Sequence, residues 1–368
     1  MKNIAVFFGG NSVEHDVSVI TGVLTANSLN KQKYVAVPVY VHTDGLWYTG
    51  ESLLDIDNYK NLKLEKLERI TLLAGGGMLY KVIKGKKLKP FCKIAVAINC
   101  MHGERGEDGS LAGLLNMCEV ALASPPLMSS AVSMDKCFTK TAMKGLKVKT
   151  LPSVTVYSDE DLSIVKSKLK YPLIVKPACS GSSIGIAKAT DDDSLVNAIN
   201  YALRFGDKAI VEPQLKGHLE INCSAYRVGE KIIVSECEKP IGKGEFLTFD
   251  DKYTGGKRVF PADIDKSLSD RIKAITEKVY LGLDFYGIIR IDYFVVGGEI
   301  YLNEINSVPG SLAFYLFCNT LKEFSTLLDS ILEDAEKRYV KSSTVKRKYH
   351  SGILMQGGTK GAKRKTNR

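Results

Sequence analysis

The N-terminal segment is the part of the chain that most constrains its fold. Residues 4–8 form a short apolar run that ends at Gly9-Gly10, and residues 17–29 place apolar side chains at helical spacing. A second apolar run follows at residues 35–41, and a third at 94–98. The succession of strand, glycine turn, helix and strand predicts a parallel sheet with helices on its faces, and hence an α/β fold class.

The basic excess of the chain lies at its C-terminal end. The 368 residues carry a formal net charge of +10, but residues 341–368 hold nine of the 51 Lys and Arg residues and none of the 41 Asp and Glu residues. The remainder is nearly neutral, so no nucleic-acid partner is expected. We predict a solvated, disordered tail; attraction of this tail to RNA or to an anionic membrane is the alternative.

The lengths of the apolar runs and the spacing of the cysteines indicate the cellular compartment of the protein. No stretch approaches the roughly 20 apolar residues of a transmembrane helix, and the apolar segment after Met1 is too short for a signal peptide. The eight cysteines include no pair with the two-residue spacing of a zinc or redox site. We therefore expect no membrane span, reduced and mostly structural thiols, and a cytoplasmic location.

Turn signals divide the chain into four parts. We predict domains at residues 1–124, 125–222 and 223–340, followed by the tail at 341–368; Pro125-Pro126 marks the first boundary. Residues 51–90 give no clear prediction. The elements expected after residue 124 are a helix through Met134 and Lys136 to Gly145, a strand at 154–157, a helix capped by Ser158, strands at 173–176 and 184–188, a helix after Asp193, strands at 209–212, 225–227 and 232–236, a helix at 264–281, a hairpin at 288–303 and a helix at 321–339.

A loop rich in serine and glycine, residues 179–185, follows a predicted strand that ends in Lys176-Pro177. Small residues allow backbone N–H groups to surround phosphate oxygens, and a lysine at the strand end can neutralise them. The loop lacks the spacing of a Walker A motif and leads into a strand. Phosphate binding is the functional interpretation, and a plain surface turn is the alternative.

Two pairs of polar residues lie on the predicted hairpin. Arg290 and Asp292 are two apart, as are Glu304 and Asn306, so each pair lies on one face of its strand. The pairs face each other if the connection around Gly297-Gly298 holds an odd number of residues or if a bulge adds one; we predict the odd count. Two carboxylates and an amide suit magnesium bound through phosphates. An exposed ladder of ion pairs is the alternative.

Two further segments are candidates for the site. Residues 242–261 form a polar, glycine-flanked loop with several charges, which fits either a lid over phosphate or a simply mobile loop. Glu14 follows Gly9-Gly10, where the first strand meets its helix. Ligands of open α/β sheets bind at that edge, and a carboxylate there suits an ammonium group; a helix-entry charge is the alternative.

Taken in order, these segments resemble the D-alanine–D-alanine ligases of the ATP-grasp superfamily, from Asn3 to about Asn306. The resemblance implies a three-domain ATP-grasp fold, with an N-terminal parallel α/β domain and α+β structure in the ATP-binding part. The motifs that carry it are Phe8-Gly9-Gly10-Asn11-Ser12-Val13-Glu14-His15-Asp16-Val17-Ser18, His102-Gly103 with Gly106-Glu107-Asp108-Gly109, Met134-Asp135-Lys136, Lys176-Pro177 with Gly181-Ser182-Ser183-Ile184-Gly185, Asp251-Lys252-Tyr253, Arg290-Ile291-Asp292, and Asn303-Glu304-Ile305-Asn306 with Pro309-Gly310.

The resemblance implies an enzyme that phosphorylates the carboxylate of one D-alanine with ATP. A second D-amino acid then displaces the phosphate, and the dipeptide serves peptidoglycan synthesis. Glu14 would hold the ammonium group of the first substrate, linked by hydrogen bonds to Ser182 and Tyr253, with His102 beside it. Relatives of this kind are typically homodimers, and Tyr253 favours an amine acceptor over D-lactate.

The resemblance also assigns the nucleotide and metal contacts. ATP and magnesium are the implied cofactors, with two magnesium ions, for which manganese is a substitute. The implied contacts are Lys136, Lys176, Lys252 and Ser183 for the phosphates, Glu212 and the backbone near Leu215 for adenine, Glu220 for the ribose, and Asp292, Glu304 and Asn306 for the two metal ions.

The acceptor side departs from the family pattern. Arg290 and the backbone of Gly310 would stabilise the oxyanion of the tetrahedral intermediate. Beyond Gly310 the family usually has a serine that helps to bind the carboxylate of the acceptor, where this chain has Tyr315 followed by Leu316. A ligase that uses D-serine or another D-amino acid as acceptor is therefore the alternative function. A catalytically inactive protein that binds nucleic acid through its tail is a third.

Overall fold

The computed structural model describes residues 1–84, 87–181, 184–241, 257–345, 349 and 351. Its strands form sheets of eight, four and four strands and one two-stranded ribbon. Among the described residues, no helix combines the length and apolar character required to cross a membrane.

The first sheet is built around the N-terminal strand. Its order is β6-β5-β4-β3-β2-β1-β7-β8. The strands and helices of this part are β1 (Lys2–Gly9), α1 (His15–Ser28), β2 (Tyr34–Val41), β3 (Trp47–Thr49), β4 (Glu68–Leu72), β5 (Met78–Ile83), β6 (Lys87–Lys93), β7 (Val96–Asn99), α2 (Ser110–Met117) and β8 (Ala121–Leu122), with short 3-10 helices at Glu51–Leu54, Ile56–Asn61 and Leu64–Lys66.

The parallel sheet expected from the N-terminal pattern is confirmed for four strands, since β1 runs parallel to β2 and β7, and β7 runs parallel to β8. The sheet is nevertheless mixed. Residues 51–90, which gave no prediction, supply most of an antiparallel extension of the sheet from β3 to β6.

Both faces of β1 are buried, which explains why its sequence is apolar without alternation. Phe8 faces a core shared with α1, while Phe7 faces a second core that includes residues of α2. Helix α1 packs so closely that a Cβ on Gly22 would lie 2.3 Å from the Phe8 side chain. This packing holds the loop between β1 and α1, which contains Glu14, against the sheet edge.

The second sheet has the order β11-β10-β12-β9. Its part of the chain contains α3 (Leu127–Met134), α4 (Lys136–Gly145), β9 (Val154–Val156), a 3-10 helix (Asp159–Asp161), α5 (Leu162–Lys168), β10 (Leu173–Pro177), β11 (Ala187–Ala189), α6 (Asp192–Ala202), a 3-10 helix (Leu203–Phe205) and β12 (Ala209–Pro213). On β10, Leu173 and Val175 pack in a core with α5 and α6. Ile174 and Lys176 therefore face the other way, into a cavity.

The third sheet has the order β14-β13-β17-β18. Its part of the chain contains β13 (Leu219–Val228), β14 (Lys231–Val234), β15 (Lys239–Ile241), β16 (Lys257–Val259), α7 (Lys266–Gly282), β17 (Ile289–Val296), β18 (Glu299–Asn306), a 3-10 helix (Gly310–Leu316) and α8 (Leu321–Ser343). One face packs on α7, and the polar face lines the same cavity as the second sheet. Strands β15 and β16 form the separate ribbon.

Some predicted boundaries differ from the observed ones. The helix expected across Met134 is two helices, because the Asp135 carboxylate accepts the N–H groups of Cys137 and Phe138 and so caps α4. The strand expected at 184–188 begins only at Ala187, and the 222/223 domain boundary falls inside β13.

Helix α8 packs far from its neighbours in the sequence. Its buried residues Phe324, Leu328 and Ile331 join the core beneath β1 and α1, although the predicted domain at 223–340 grouped them with the third sheet. The helix also continues to Ser343, past the predicted start of the tail. The C-terminal part of the chain is thereby joined to the first sheet.

Candidate active site

The β17–β18 hairpin brings the two predicted polar pairs together. Its turn has two residues, Gly297-Gly298, so the expected odd count is wrong for the turn itself. One extra residue, Asn303, is instead inserted between the pairs Tyr293–Leu302 and Asp292–Glu304. This bulge restores the facing arrangement, because it shifts the alternation of β18 by one position. Asp292 thus lies opposite Glu304, and Arg290 opposite Asn306.

Arg290 and Asp292 form a bidentate ion pair along one strand. The Nε and Nη2 atoms of Arg290 donate to the two carboxylate oxygens of Asp292 at 2.7 and 2.9 Å. Asn306 donates from Nδ2 to Asp292 Oδ2 at 3.1 Å. The pairing holds both groups in fixed orientations on the cavity side of the sheet.

The donor set on this face fits a divalent metal ion. No group of three or more His, Cys, Asp or Glu side chains with metal-binding geometry occurs in the described part of the chain. The carboxylates of Asp292 and Glu304 are nevertheless cross-strand neighbours, with the Asn306 amide beside them. Hard oxygen donors in this number suit magnesium that completes its coordination with phosphate and water.

Glu212 is buried between two lysines on the opposite wall. Lys176 Nζ lies 2.8 Å from Oε2, and Lys140 Nζ lies 2.6 Å from Oε1. Burial alone would raise the pKa of Glu212, but the two ammonium groups lower it to about 2. Burial would likewise lower the pKa of Lys176, and Glu212 raises it. Both groups are therefore charged at neutral pH.

Lys140 was not predicted as a site residue. It lies four positions after Lys136 on α4, a spacing that places both lysines on one face of the helix, so helical periodicity could have indicated it. Lys136 itself donates from Nζ to the carbonyl of Ser180 at 2.6 Å and lies 3.9 Å from Glu304 Oε2. Helix α4 therefore contributes one cation that lines the cavity, Lys136, and a second, Lys140, that pairs with Glu212 on its wall.

Glu14 is buried, with 5% of its surface exposed. A Cβ added at Gly181 would lie 3.0 Å from its Oε2 atom, so the Ser/Gly loop packs directly on this carboxylate. Two expected partners, Ser182 and Tyr253, lie outside the described residues, as do Ser183, Lys252 and the rest of segment 242–256. The described geometry thus joins Glu14 to the start of the loop that the sequence indicated.

His102 is buried beside a hydroxyl group of α1. Its Nε2 atom lies 3.1 Å from Thr21 Oγ1, which in turn accepts the N–H of Ser311 at 3.0 Å. Because that N–H occupies Thr21 as an acceptor, the threonine hydroxyl can donate to His102. Burial and the nearby Arg290 lower the pKa of His102 to about 3, so it is neutral. Thr21 was not predicted.

Glu107 joins two loops of the site. Its Oε2 atom accepts the N–H of Gly103 at 2.9 Å, and its Oε1 atom accepts the N–H of Val308 at 3.1 Å. Burial, then the charge of Glu14, raise the pKa of Glu107 to about 8. The sequence placed Glu107 in a motif but gave it no role, because Val308 is 201 positions away.

The segment after Gly310 has unusual backbone geometry. Ser311, Leu312 and Ala313 all adopt the left-handed region, with φ of 51°, 51° and 47°. This conformation is strained for residues with a Cβ and persists only when the surroundings impose it. It turns Tyr315 toward the cavity, whereas the side chain of Leu316 packs in the core beneath the first sheet.

The remaining predicted residues lie along the same cavity. Leu215 and Glu220 line it, and His218 Nε2 lies 3.5 Å from Glu220 Oε1. The cavity is bounded by the polar faces of the second and third sheets, and Arg290 also lines it. Lysines on one wall and carboxylates on the other can hold a polyphosphate with its metal ions and neutralise charge that develops on a phosphoryl group.

Comparisons with known proteins agree along nearly the whole chain. A family model described as "D-ala D-ala ligase N-terminus" matches residues 3–125, and one described as "D-ala D-ala ligase C-terminus" matches residues 144–333. The D-alanine–D-alanine ligase of Thermosipho africanus is 37% identical over 348 residues, which cover 91% of this chain and 93% of that protein.

Two solved structures share the architecture. The D-alanine–D-alanine ligase of Helicobacter pylori has a TM-score of 0.76 and 28% identity, covering 91% of this chain and 98% of its own. The VanG D-Ala:D-Ser ligase of Enterococcus faecalis has a TM-score of 0.77 and 26% identity, covering 92% of this chain and 99% of its own.

Proposed function

Because this chain belongs to the D-alanine–D-alanine ligase family and joins two D-alanines in an ATP-dependent reaction, we propose that the chemistry takes place in the cavity between its second and third sheets. The observation that carries this assignment is the facing arrangement of Lys176 and Glu212 on one wall and of Asp292 and Glu304 on the other. The fold is the three-domain ATP-grasp architecture of the family.

The donor D-alanine binds at the part of the cavity where Gly181 packs on Glu14. Glu14 accepts its ammonium group, and Ser182 and Tyr253 support Glu14 as the family pattern implies. The buried position of Glu14 supports this role, because a carboxylate attracts an ammonium group more strongly where water is excluded. His102, which is neutral and held by Thr21, shapes the pocket without adding charge beside the ammonium group.

The triphosphate binds between the two sheets. Lys136, Lys176 and Lys252 contact the phosphates together with Ser183, while Leu215 and Glu220 lie toward the adenine and ribose. Cations are needed here, because the donor carboxylate and ATP repel each other until their charges are neutralised. Glu212 contacts the adenine. It also has a second role, because it holds Lys176 and Lys140 in place.

A divalent metal ion supplies further positive charge beside the transferred phosphoryl group when bound. We propose that Asp292, Glu304 and Asn306 hold two magnesium ions, with manganese as a substitute. Asp292 is oriented by Arg290 through two hydrogen bonds, so its carboxylate is fixed before any ion binds.

The second half of the reaction occurs beside Arg290. Phosphorylation of the donor gives an acyl phosphate, and the acceptor amine attacks its carbonyl carbon and releases phosphate. Arg290 and the N–H of Gly310 stabilise the oxyanion that forms. The Glu107 bridge between Gly103 and Val308 supports this role, because it ties the Gly310 turn to the loop that carries His102.

The product is the dipeptide used in peptidoglycan synthesis. We propose that the enzyme acts in the cytoplasm, where ATP and free D-alanine meet, and that it forms a homodimer like typical relatives. The basic tail is not needed for the chemistry and no nucleic acid takes part.

Incubation with ATP, magnesium and D-alanine tests the function. We expect release of one phosphate per dipeptide, with the dipeptide identified by mass spectrometry, and no turnover with L-alanine. A protein that hydrolyses no ATP and forms no dipeptide with any D-amino acid would refute the assignment. Substitution of D-serine for half of the D-alanine tests the alternative acceptor, which is favoured only if mixed dipeptide exceeds D-alanyl-D-alanine.

A further inference from the structure

A second set of charged groups lines the cavity away from the phosphate-binding lysines. Glu238, which precedes β15, is buried with 3% of its surface exposed. Its Oε2 atom accepts a hydrogen bond from Asn222 Nδ2 at 3.1 Å, and Arg258 Nη1 lies 3.5 Å from its Oε1 atom. From the sequence, Glu238 was not identified as a site residue, and Arg258 was included only within the polar segment 242–261.

Tyr315 packs on Arg258. The guanidinium carbon of Arg258 lies 4.0 Å from the centre of the Tyr315 ring, a cation–π geometry. The stack covers one face of the guanidinium group, but its N–H donors point outward in the plane. The Nη1 atom is the nitrogen that lies 3.5 Å from Glu238, and Arg258 lines the cavity.

Three of the other cations that line this cavity have close partners. Arg290 gives two donors to Asp292, Lys176 pairs with Glu212 at 2.8 Å, and Lys136 donates to Ser180. Arg258 differs in exposure, because 45% of its side chain is accessible to solvent, against 16% for Arg290, 11% for Lys176 and 14% for Lys136. It is therefore held in place and still able to bind an anion that enters from solvent.

The acceptor amino acid brings such an anion. Its amine must reach the carbonyl carbon beside Arg290 while its own carboxylate stays bound, and a carboxylate removed from water requires a cation or hydrogen bonds. Where the family pattern has a serine for this carboxylate, the chain has Tyr315. Tyr315 lies near Arg290. Burial raises the pKa of Tyr315, the Arg290 guanidinium lowers it and Glu238 raises it, and the net shift is upward.

We propose that Arg258, held by Glu238 and Tyr315, binds the α-carboxylate of the acceptor amino acid and thereby determines which amines react. This inference rests on the proposed function and specifies its second substrate. An amine without a carboxylate in this position cannot form the Arg258 contact. It should therefore be a poor acceptor for the wild-type enzyme.

Three acceptors, each offered with D-alanine as donor, test the proposal. D-alanine carries the carboxylate, D-alaninamide has the same shape with a neutral amide, and hydroxylamine lacks the group and traps the acyl phosphate as a hydroxamate. We expect the wild-type enzyme to prefer D-alanine over D-alaninamide at least 50-fold in kcat/KM. In Arg258→Met this preference should fall below 5-fold, with the hydroxamate rate within 3-fold of wild type.

Two further variants separate binding from packing. Lys257→Met removes a neighbouring cation on the same strand and should keep the wild-type preference. Tyr315→Phe keeps the ring over Arg258 and should keep most of the preference for D-alanine over D-alaninamide. Tyr315→Leu removes the ring, and the logarithm of this preference ratio should fall by about half.

The outcomes distinguish the inference from the function on which it rests. An Arg258→Met enzyme that retains the wild-type preference, or that loses dipeptide and hydroxamate formation equally, overturns the role of Arg258 and leaves the ligase function intact. A wild-type enzyme that forms neither dipeptide nor hydroxamate overturns both.

Discussion

The ammonium nitrogen of Lys176 lies 3.4 Å from Oδ1 of Asn303, the residue that forms the bulge in β18. The same nitrogen lies 2.8 Å from Glu212 on the second sheet. Lys176 therefore contacts both walls of the cavity. The bulge both turns Glu304 toward Asp292 and supplies a hydrogen-bond acceptor for the lysine that faces them.

Lys176→Ala should lower kcat by roughly 100- to 1,000-fold, because a cation aimed at the phosphates is removed from a water-poor site. Glu212 keeps Lys140 as a partner, so the protein should remain folded with a moderately lower melting temperature. Steady-state kinetics and circular dichroism measure the two effects. Lys166→Ala, at an exposed ion pair with Asp192, is the control and should change neither. An unfolded Lys176→Ala protein at room temperature would indicate a structural role instead.

Glu304→Gln should lower kcat by at least about 100-fold and raise the magnesium concentration needed for half-maximal rate, because a charged metal ligand becomes a neutral amide of the same shape. Initial rates over a magnesium titration measure both quantities. Glu299→Gln makes the same change on the same strand, where the side chain pairs with Lys149 at the surface, and should behave like wild type. Equal magnesium dependence in all three proteins would exclude Glu304 as a ligand.

Glu107 should make the folded protein less stable as the pH rises from about 5 to about 8. The pKa of Glu107 is about 8 in the folded protein against an ordinary value of 4.5. Between these values the unfolded chain has released the proton and the folded chain has kept it, so a rising pH favours unfolding.

Glu107→Gln removes this titration. The free energy of unfolding of wild type relative to the variant should therefore decrease by roughly 3 to 4 kcal/mol between pH 5 and pH 8, measured by urea denaturation. Glu104→Gln alters an exposed carboxylate of the same loop and should show no such dependence. A wild-type advantage that grows with pH would contradict the raised pKa.

Thr21→Val should lower the free energy of unfolding by roughly 2 kcal/mol, since the Ser311 N–H and His102 Nε2 would lose a buried partner. Because Ser311 adjoins Gly310, kcat should also fall, by about 10-fold. Thr25→Val removes a buried hydroxyl one turn further along α1, beside Cys100, and controls for the loss of a hydroxyl from this helix. If Thr25→Val lowers kcat as much, the effect is general to helix packing.

Local patterns in the sequence determined most of the elements and the residue types of the site. Alternation on β17 placed Arg290 and Asp292 on one face, and apolar spacing identified α1 and β1, because both patterns depend on neighbours only a few positions apart. The ordered motifs identified the family for the same reason, since each is a short contiguous run.

The tertiary structure decided how these pieces combine. Asn303 forms a bulge in β18, where the sequence predicted a turn with an odd number of residues. Helix α8 packs against the first sheet, and Glu107 accepts a hydrogen bond from the N–H of Val308. These features depend on packing between residues tens to hundreds of positions apart, where burial and hydrogen-bond satisfaction select one arrangement among several that the local pattern permits. The chemistry of each side chain is therefore readable from the sequence, while its partner is a property of the folded chain.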